Sequence, residues 1–143
     1  MGVLGTEKPW SFGIHGGHVN CTDSRYVYMR APVRSDNTPL YNYTLMPTHM
    51  RELFSIEELQ TVKLADPFAF TKGCRTMRIE SKGRSGTDMH RFGTVLFDLQ
   101  KDPKQKQPIT DPHVEDMMIK HMARLMKDNN APVEQFERLG LPF

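Results

Sequence analysis

Tyr26-Val27-Tyr28-Met29 alternates in character, and Val19 stands in the stretch before it, across the polar Thr22-Asp23-Ser24. A period of two marks a strand with one buried face, so residues 16–21 and 25–30 predict a β-hairpin. Ala31 to Pro39 carries two prolines with Ser35, Asp36 and Asn37, and reads as a loop. Leu40 to Met46 puts Tyr41, Tyr43 and Leu45 on one face, a third strand ended by Pro47. Ser55 and Glu58 have the spacing of a capping box, and Phe54 can staple onto Leu59. The helix they start runs over Ile56 to Leu64 and stops at Asp66-Pro67. Arg75 to Ser81 and Gly93 to Leu99 are two further strands, separated by a Gly/Ser/Lys-rich loop.

The strongest helical signal lies toward the C-terminus. Asp111 is placed to cap, Pro112 occupies the first helical position, and Glu115 and Asp116 favour the positive end of the helix dipole. Val114, Met117, Met118, Met122, Leu125 and Met126 recur at helical spacing and form one apolar stripe, broken by Asn129-Asn130. A last short helix from Pro132 to near Gly140 turns Phe136 and Leu139 inward. The pattern predicts one α+β domain over residues 1–143, a small antiparallel sheet of about four strands covered by the C-terminal amphipathic helix, in two layers. Tyr26, Tyr28, Tyr41 and Tyr43 leave room for a further partner on the other sheet face.

Composition narrows the function classes. Apolar content of 38% with 25% charged residues describes a globular chain, and ten prolines and ten glycines argue against a helical bundle. A net charge of +2, with Lys101, Lys104 and Lys106 in a solvated turn, gives no footprint for nucleic acid. No apolar run approaches the ~20 residues of a membrane span. Met1 to Trp10 lacks the basic start and apolar stretch of a secretory signal, so Cys21 and Cys74 are expected reduced, in the cytoplasm. Asn20-Cys21-Thr22 and Asn42-Tyr43-Thr44 match the glycosylation pattern, which has no meaning in a chain kept inside.

Candidate chemistry is sparse. In His15-Gly16-Gly17-His18 the glycines let the backbone approach a ligand while two imidazoles offer donors or proton transfer. The same residues also read as a glycine turn with exposed histidines, and both readings stand. A metal pair is disfavoured, because residues three apart on a strand point to opposite faces and no carboxylate completes a site. His49, Arg51 and Glu52, and likewise Asp88, His90 and Arg91, are loop groups able to line a cleft or only to meet solvent. His113 and His121 are too far apart for one metal and are expected to face water. Nucleophile elbow, P-loop, dinucleotide fingerprint and zinc spacing are all missing from the sequence.

Phe12-Gly13-Ile14-His15-Gly16-Gly17-His18-Val19, then Thr22-Asp23-Ser24-Arg25-Tyr26-Val27-Tyr28, then Arg75 to Glu80, and finally Val95-Leu96-Phe97-Asp98-Leu99-Gln100-Lys101-Asp102-Pro103 with Asp111-Pro112 follow one another in order. Together they resemble the C-terminal subdomain of a sulfatase, within the alkaline-phosphatase superfamily. That subdomain has a Thr-Asp-Gly-Arg-Tyr-like hairpin and a Leu-(Tyr/Phe)-Asp-Leu strand running through an Asp-Pro turn into the last helix. Ser24 stands where relatives carry glycine, and Lys104-Gln105-Lys106-Gln107 where they often carry Glu and Asn. Cys21-Thr22-Asp23-Ser24-Arg25 is like the family's Cys-x-Pro-x-Arg nucleophile motif in its ends only, with Asp23 in place of proline, and its match is read as coincidence.

The resemblance implies a minor lobe docked on a large catalytic domain that holds the formylglycine and the calcium ligands. No catalytic residue, metal ligand or cofactor is then expected in this chain. Because loops of the subdomain wall the substrate cleft in the family, His15 and His18 are the candidates for substrate contact. The partner expected is the catalytic domain, or a second copy through an exposed sheet face, with neither nucleic acid nor membrane. The leading expectation is thus a sulfatase fragment, inert alone, whose parent cleaves sulfate esters. A stand-alone interaction module and a fragment of a related phosphoesterase or phosphonate hydrolase are the alternatives.

Overall fold

A computed structural model describes residues 10–11, 17–81 and 89–143. Their order is β1 (Trp10–Ser11), β2 (Val19–Thr22), β3 (Tyr26–Arg30), β4 (Tyr41–Thr44), α1 (Ile56–Thr61), β5 (Lys63–Ala65), β6 (Thr76–Glu80), α2 (Met89–Phe92), β7 (Val95–Asp98), α3 (Pro112–Asp128) and α4 (Val133–Leu139). The α+β class holds, with a four-stranded antiparallel sheet in the order β1-β2-β3-β7.

Register decides which residues meet the helix layer. Cys21 lies opposite Tyr28, and Tyr28 opposite Leu96, so one cross-strand row presents all three to the same side. Val19, Cys21, Tyr28 and Leu96 join Val114, Met118, Met122, Ala123, Leu125 and Met126 of α3 in one core, closed by Phe136, Leu139 and Leu141. Asp111 caps α3 by accepting from the N–H groups of His113 and Val114. The stripe read from the sequence is the buried face of α3, except at Met117, which is 42% exposed. His121 also departs from expectation: its Nε2 is sealed inside without a partner, and burial and Arg124 lower its pKa.

The remaining strands make a second sheet, in the order β4-β6-β5. The third predicted strand does not pair with β3, whose two edges are taken by β2 and β7. It pairs with β6 instead, Tyr41 opposite Glu80 and Thr44 opposite Met77. The capping box is formed as expected, Ser55 Oγ accepting from the Glu58 N–H and Glu58 Oε2 from the Ser55 N–H. The helix is shorter than Ile56 to Leu64, since Val62 turns to ψ 126 and residues 63–65 pair with β6. Phe54 packs edge-on against the His49 ring, and Leu59 is 54% exposed.

The hairpin turn holds Ser24 in the left-handed region. Asp23 Oδ1 accepts from the N–H groups of Arg25 and Tyr26, which forces Ser24 to φ 76. A side chain is disfavoured in that left-handed region and glycine is not. Ser24→Gly should therefore stabilise the fold by about 0.5–1 kcal/mol, read as a rise in the urea midpoint.

Leaving the sheet, β7 ends at Asp98, a buried carboxylate that accepts from Arg25 Nη2 at 3.0 Å and from the Gln100 N–H at 3.0 Å. The Arg25 hydrogen bond, helped by the Gln100 N–H, holds its pKa below the ordinary carboxylate value despite burial. A depressed carboxylate contributes stability above its unfolded pKa of roughly 3.9 and loses it as pH falls through the folded value. Asp98→Asn should thus be clearly less stable than the parent at pH 7. Urea titrations at lower pH should show the two curves converging below about pH 4.

Candidate functional site

The two predicted substrate contacts fall differently. His15 lies outside the described residues. His18, just before β2, is half-buried, and its Nε2 donates to the Gly93 carbonyl at 2.7 Å. A carbonyl only accepts, so the proton sits on Nε2 and Nδ1 is the atom left to meet a ligand. His18 thereby ties the entry of β2 to the turn before β7.

The other polar candidates are dispersed. His90 Nδ1 donates to the Pro32 carbonyl at 3.0 Å, while Asp88 lies outside the described residues. His49 Nε2 donates to Glu58 Oε1 at 2.8 Å, with Arg51 and Glu52 exposed nearby in the chain. Among the described residues no group of three or more His, Cys, Asp or Glu side chains comes close enough to hold a metal ion.

Cys21 sits in the middle of β2, opposite Tyr28, with its thiol against the Met118 carbonyl at 3.9 Å. Burial, with the Asp23 charge adding to it, pushes the thiol up to about 12. A protonated thiol in a core is no nucleophile. Iodoacetamide at pH 8 should label the native chain once, at the exposed Cys74, and a second time only after denaturation, as read by intact-mass spectrometry.

Apart from His49, one concave feature is built from residues that the sequence does not mark as a site. A cavity of about 500 Å³ opens between β4 and α4. One wall is aromatic: Tyr43 meets Phe68 edge-on with ring centroids 5.0 Å apart, and Phe68 stacks on Phe70 at 5.2 Å. Leu40 and Ile79 extend it, and His49, Met50 and Phe54 stand around it. The polar side comes from Asn129, Asn130, Gln135 and Arg138.

The polar side is organised by Arg138, which is 2% exposed. Among its hydrogen bonds are those from Nε to Gln135 Oε1 at 2.9 Å, and from Nη1 to the Gly17 carbonyl at 3.1 Å and Asn37 Oδ1 at 2.9 Å. Burial lowers its pKa to about 10, which leaves it protonated at neutral pH. Tyr43 Oη donates to Glu134 Oε1 at 2.6 Å, and burial, assisted by that carboxylate, raises the phenol pKa. These groups can hold and orient a ligand. With His49 engaged by Glu58, the lining offers no nucleophile paired with a base.

Sequence signals for this cavity were weak because its parts come from the forties, the sixties and the 130s of the chain. Only Phe68 and Phe70, two apart after a proline, hint at an aromatic wall. Comparison with known proteins finds no family model, no curated protein and no solved structure that matches this chain.

Proposed function

We propose that this chain is the C-terminal subdomain of a sulfatase-like hydrolase, the minor lobe that docks on a catalytic body and helps wall its cleft. The observation that carries the reading is the order of the motifs on one sheet. The Thr22–Tyr28 hairpin leads into β3, β3 pairs with the Leu96-Phe97-Asp98 strand, and an Asp-capped helix then covers that sheet. Catalysis would belong to the body, where the family's formylglycine would supply the nucleophile and calcium the charge stabilisation. Within this lobe, His18 and His15 remain the side chains assigned to substrate contact. Docking is supported by large apolar side chains left in the open around the second sheet, Met50, Leu53, Ile56, Leu64 and Phe70 among them. The unpaired thiols Cys21 and Cys74 support a reducing, cytoplasmic setting.

The test is the coding sequence immediately upstream of the Met1 codon. An open frame continuous with this chain and encoding Cys-x-Pro-x-Arg or Ser-x-Pro-x-Arg is expected. A stop codon directly upstream, or a fused domain of other chemistry, sinks the reading. On an aryl sulfate the isolated chain should show no turnover above blank, and activity abolished by Cys21→Ala would likewise overturn it.

The same exposed side chains favour a second reading, a stand-alone interaction module that associates through them. Light scattering read together with the upstream coding sequence separates the two. Reversible self-association with an upstream stop codon supports the module, and a concentration-independent monomer counts against it.

A further inference from the structure

The cavity between β4 and α4 has a use that does not depend on any catalytic body. Its volume of about 500 Å³ lies within the roughly 300–1,000 Å³ typical of small-molecule sites. Its chemistry is split. One side is aromatic, built from Tyr43, Phe68 and Phe70, where a flat apolar ring can lie. The other side holds an unspent donor. Gln135 is 9% exposed and its Oε1 is taken by Arg138, while its Nε2, for which no described residue is the acceptor, is not sealed in and opens to solvent.

An acceptor arriving in the cavity can take this amide N–H₂ in place of water. The sign of the charge follows from the lining, which includes the cation Arg138 and neither Asp nor Glu. Glu134 lies outside the lining and accepts from Tyr43 Oη, while Glu58 Oε1 accepts from His49 Nε2. Asn130, on the same side, adds a second amide. An acceptor that is also an anion fits this arrangement, and a cation does not.

We infer that this cavity binds a small aromatic oxyanion, its ring against the Tyr43–Phe68–Phe70 wall and its carboxylate or sulfonate oxygen on the Gln135 amide beside Arg138. The site lies wholly within this chain, so it stands or falls separately from the sulfatase reading.

The test is a titration of the ¹⁵N-labelled chain with naphthalene-2-carboxylate, naphthalene-2-sulfonate and 2-naphthylmethylammonium, followed by NMR. At least one anion should move the Gln135 side-chain N–H₂ resonances, with a Kd on the order of 1 mM or tighter. The ratio between the two anions identifies which oxyanion the site prefers. The ammonium probe should bind at least about tenfold more weakly than the better anion, a difference of roughly 1.4 kcal/mol.

Two variants keep the fold while altering the site. Phe70 is 74% exposed, so Phe70→Ala removes wall area at little cost to the core. Gln135→Glu retains an oxygen acceptor for Arg138 but replaces the donor with a negative charge. Phe70→Ala should weaken the anion severalfold, and Gln135→Glu should abolish its binding and favour the ammonium probe. Three results would each overturn the inference: no shift at Gln135 in folded wild type up to the solubility limit of the anions, equal binding of the cation, or unchanged anion binding in both variants.

Discussion

Met118→Ala will lower the unfolding free energy by about 3 kcal/mol, whereas Met117→Ala, one residue away, will change it by less than about 1 kcal/mol. Met118 is 0% exposed, faces the first sheet, and has its own carbonyl against the Cys21 thiol. Val114 and Met122, four residues to either side, are buried on the same face and contribute to the same core. Truncation there removes a buried thioether chain and leaves a void that a helix fixed at the Asp111 cap cannot easily collapse. Met117 is 42% exposed and leaves mostly solvent-facing space. Urea unfolding of the three proteins, with unchanged slope and separated midpoints, checks the contrast. Equal losses at both positions would mean that α3 is rotated from the face described here.

That contrast also shows where sequence periodicity stops being informative. Spacing placed Val114, Met118, Met122, Leu125 and Met126 on one stripe, and the core contains all five. It placed Met117 there too, because a stripe roughly 100° wide does not resolve the residue at its margin. Caps were legible for a related reason: Asp111-Pro112 and Ser55 with Glu58 act within one turn, and short-range chemistry is written in adjacent residues. Strand pairing is not. Nothing near Tyr41 announces that its partner is Glu80 rather than a residue of β3, whose second edge is taken by β7 from far along the chain. The cavity was invisible for the same reason, because Tyr43, Phe68 and Gln135 meet only after both sheets and α4 are in place. Of the candidate site, His18 could be named from the sequence, but its hydrogen bond to Gly93, 75 residues away, could not.

The charge buried in α4 gives the other large effect. Arg138→Met will destabilise the fold by roughly 3 kcal/mol, and Arg138→Lys by a similar amount, in urea titrations at pH 7. Two terms oppose each other. Methionine removes the desolvation cost of a guanidinium that is 2% exposed, and where a buried ion has poor partners such a change is often neutral or stabilising. Here the partners are well placed and come from separate parts of the chain: the Gly17 carbonyl before β2, Asn37 in the loop before β4, and Gln135 one turn back in α4. Each acceptor that loses its donor costs about 1–3 kcal/mol when buried, so the lost bonds outweigh the recovered desolvation. Lysine keeps the charge yet presents a single ammonium, which cannot span the planar fork that reaches Gln135 on one side and Gly17 and Asn37 on the other. The loss should be cooperative. Val33 N–H donates to the Arg138 carbonyl at 2.9 Å, and Arg30 donates to the carbonyls of Leu139 and Gly140, so loosening α4 strains the same seam with the first sheet. In a double-mutant cycle, Arg138→Met and Asn37→Ala should therefore fall short of additivity by about 1 kcal/mol. If Arg138→Met instead unfolds at the wild-type midpoint, the desolvation term has cancelled the bonds, and α4 is held by Phe136, Leu139 and its backbone contacts to Arg30 and Val33.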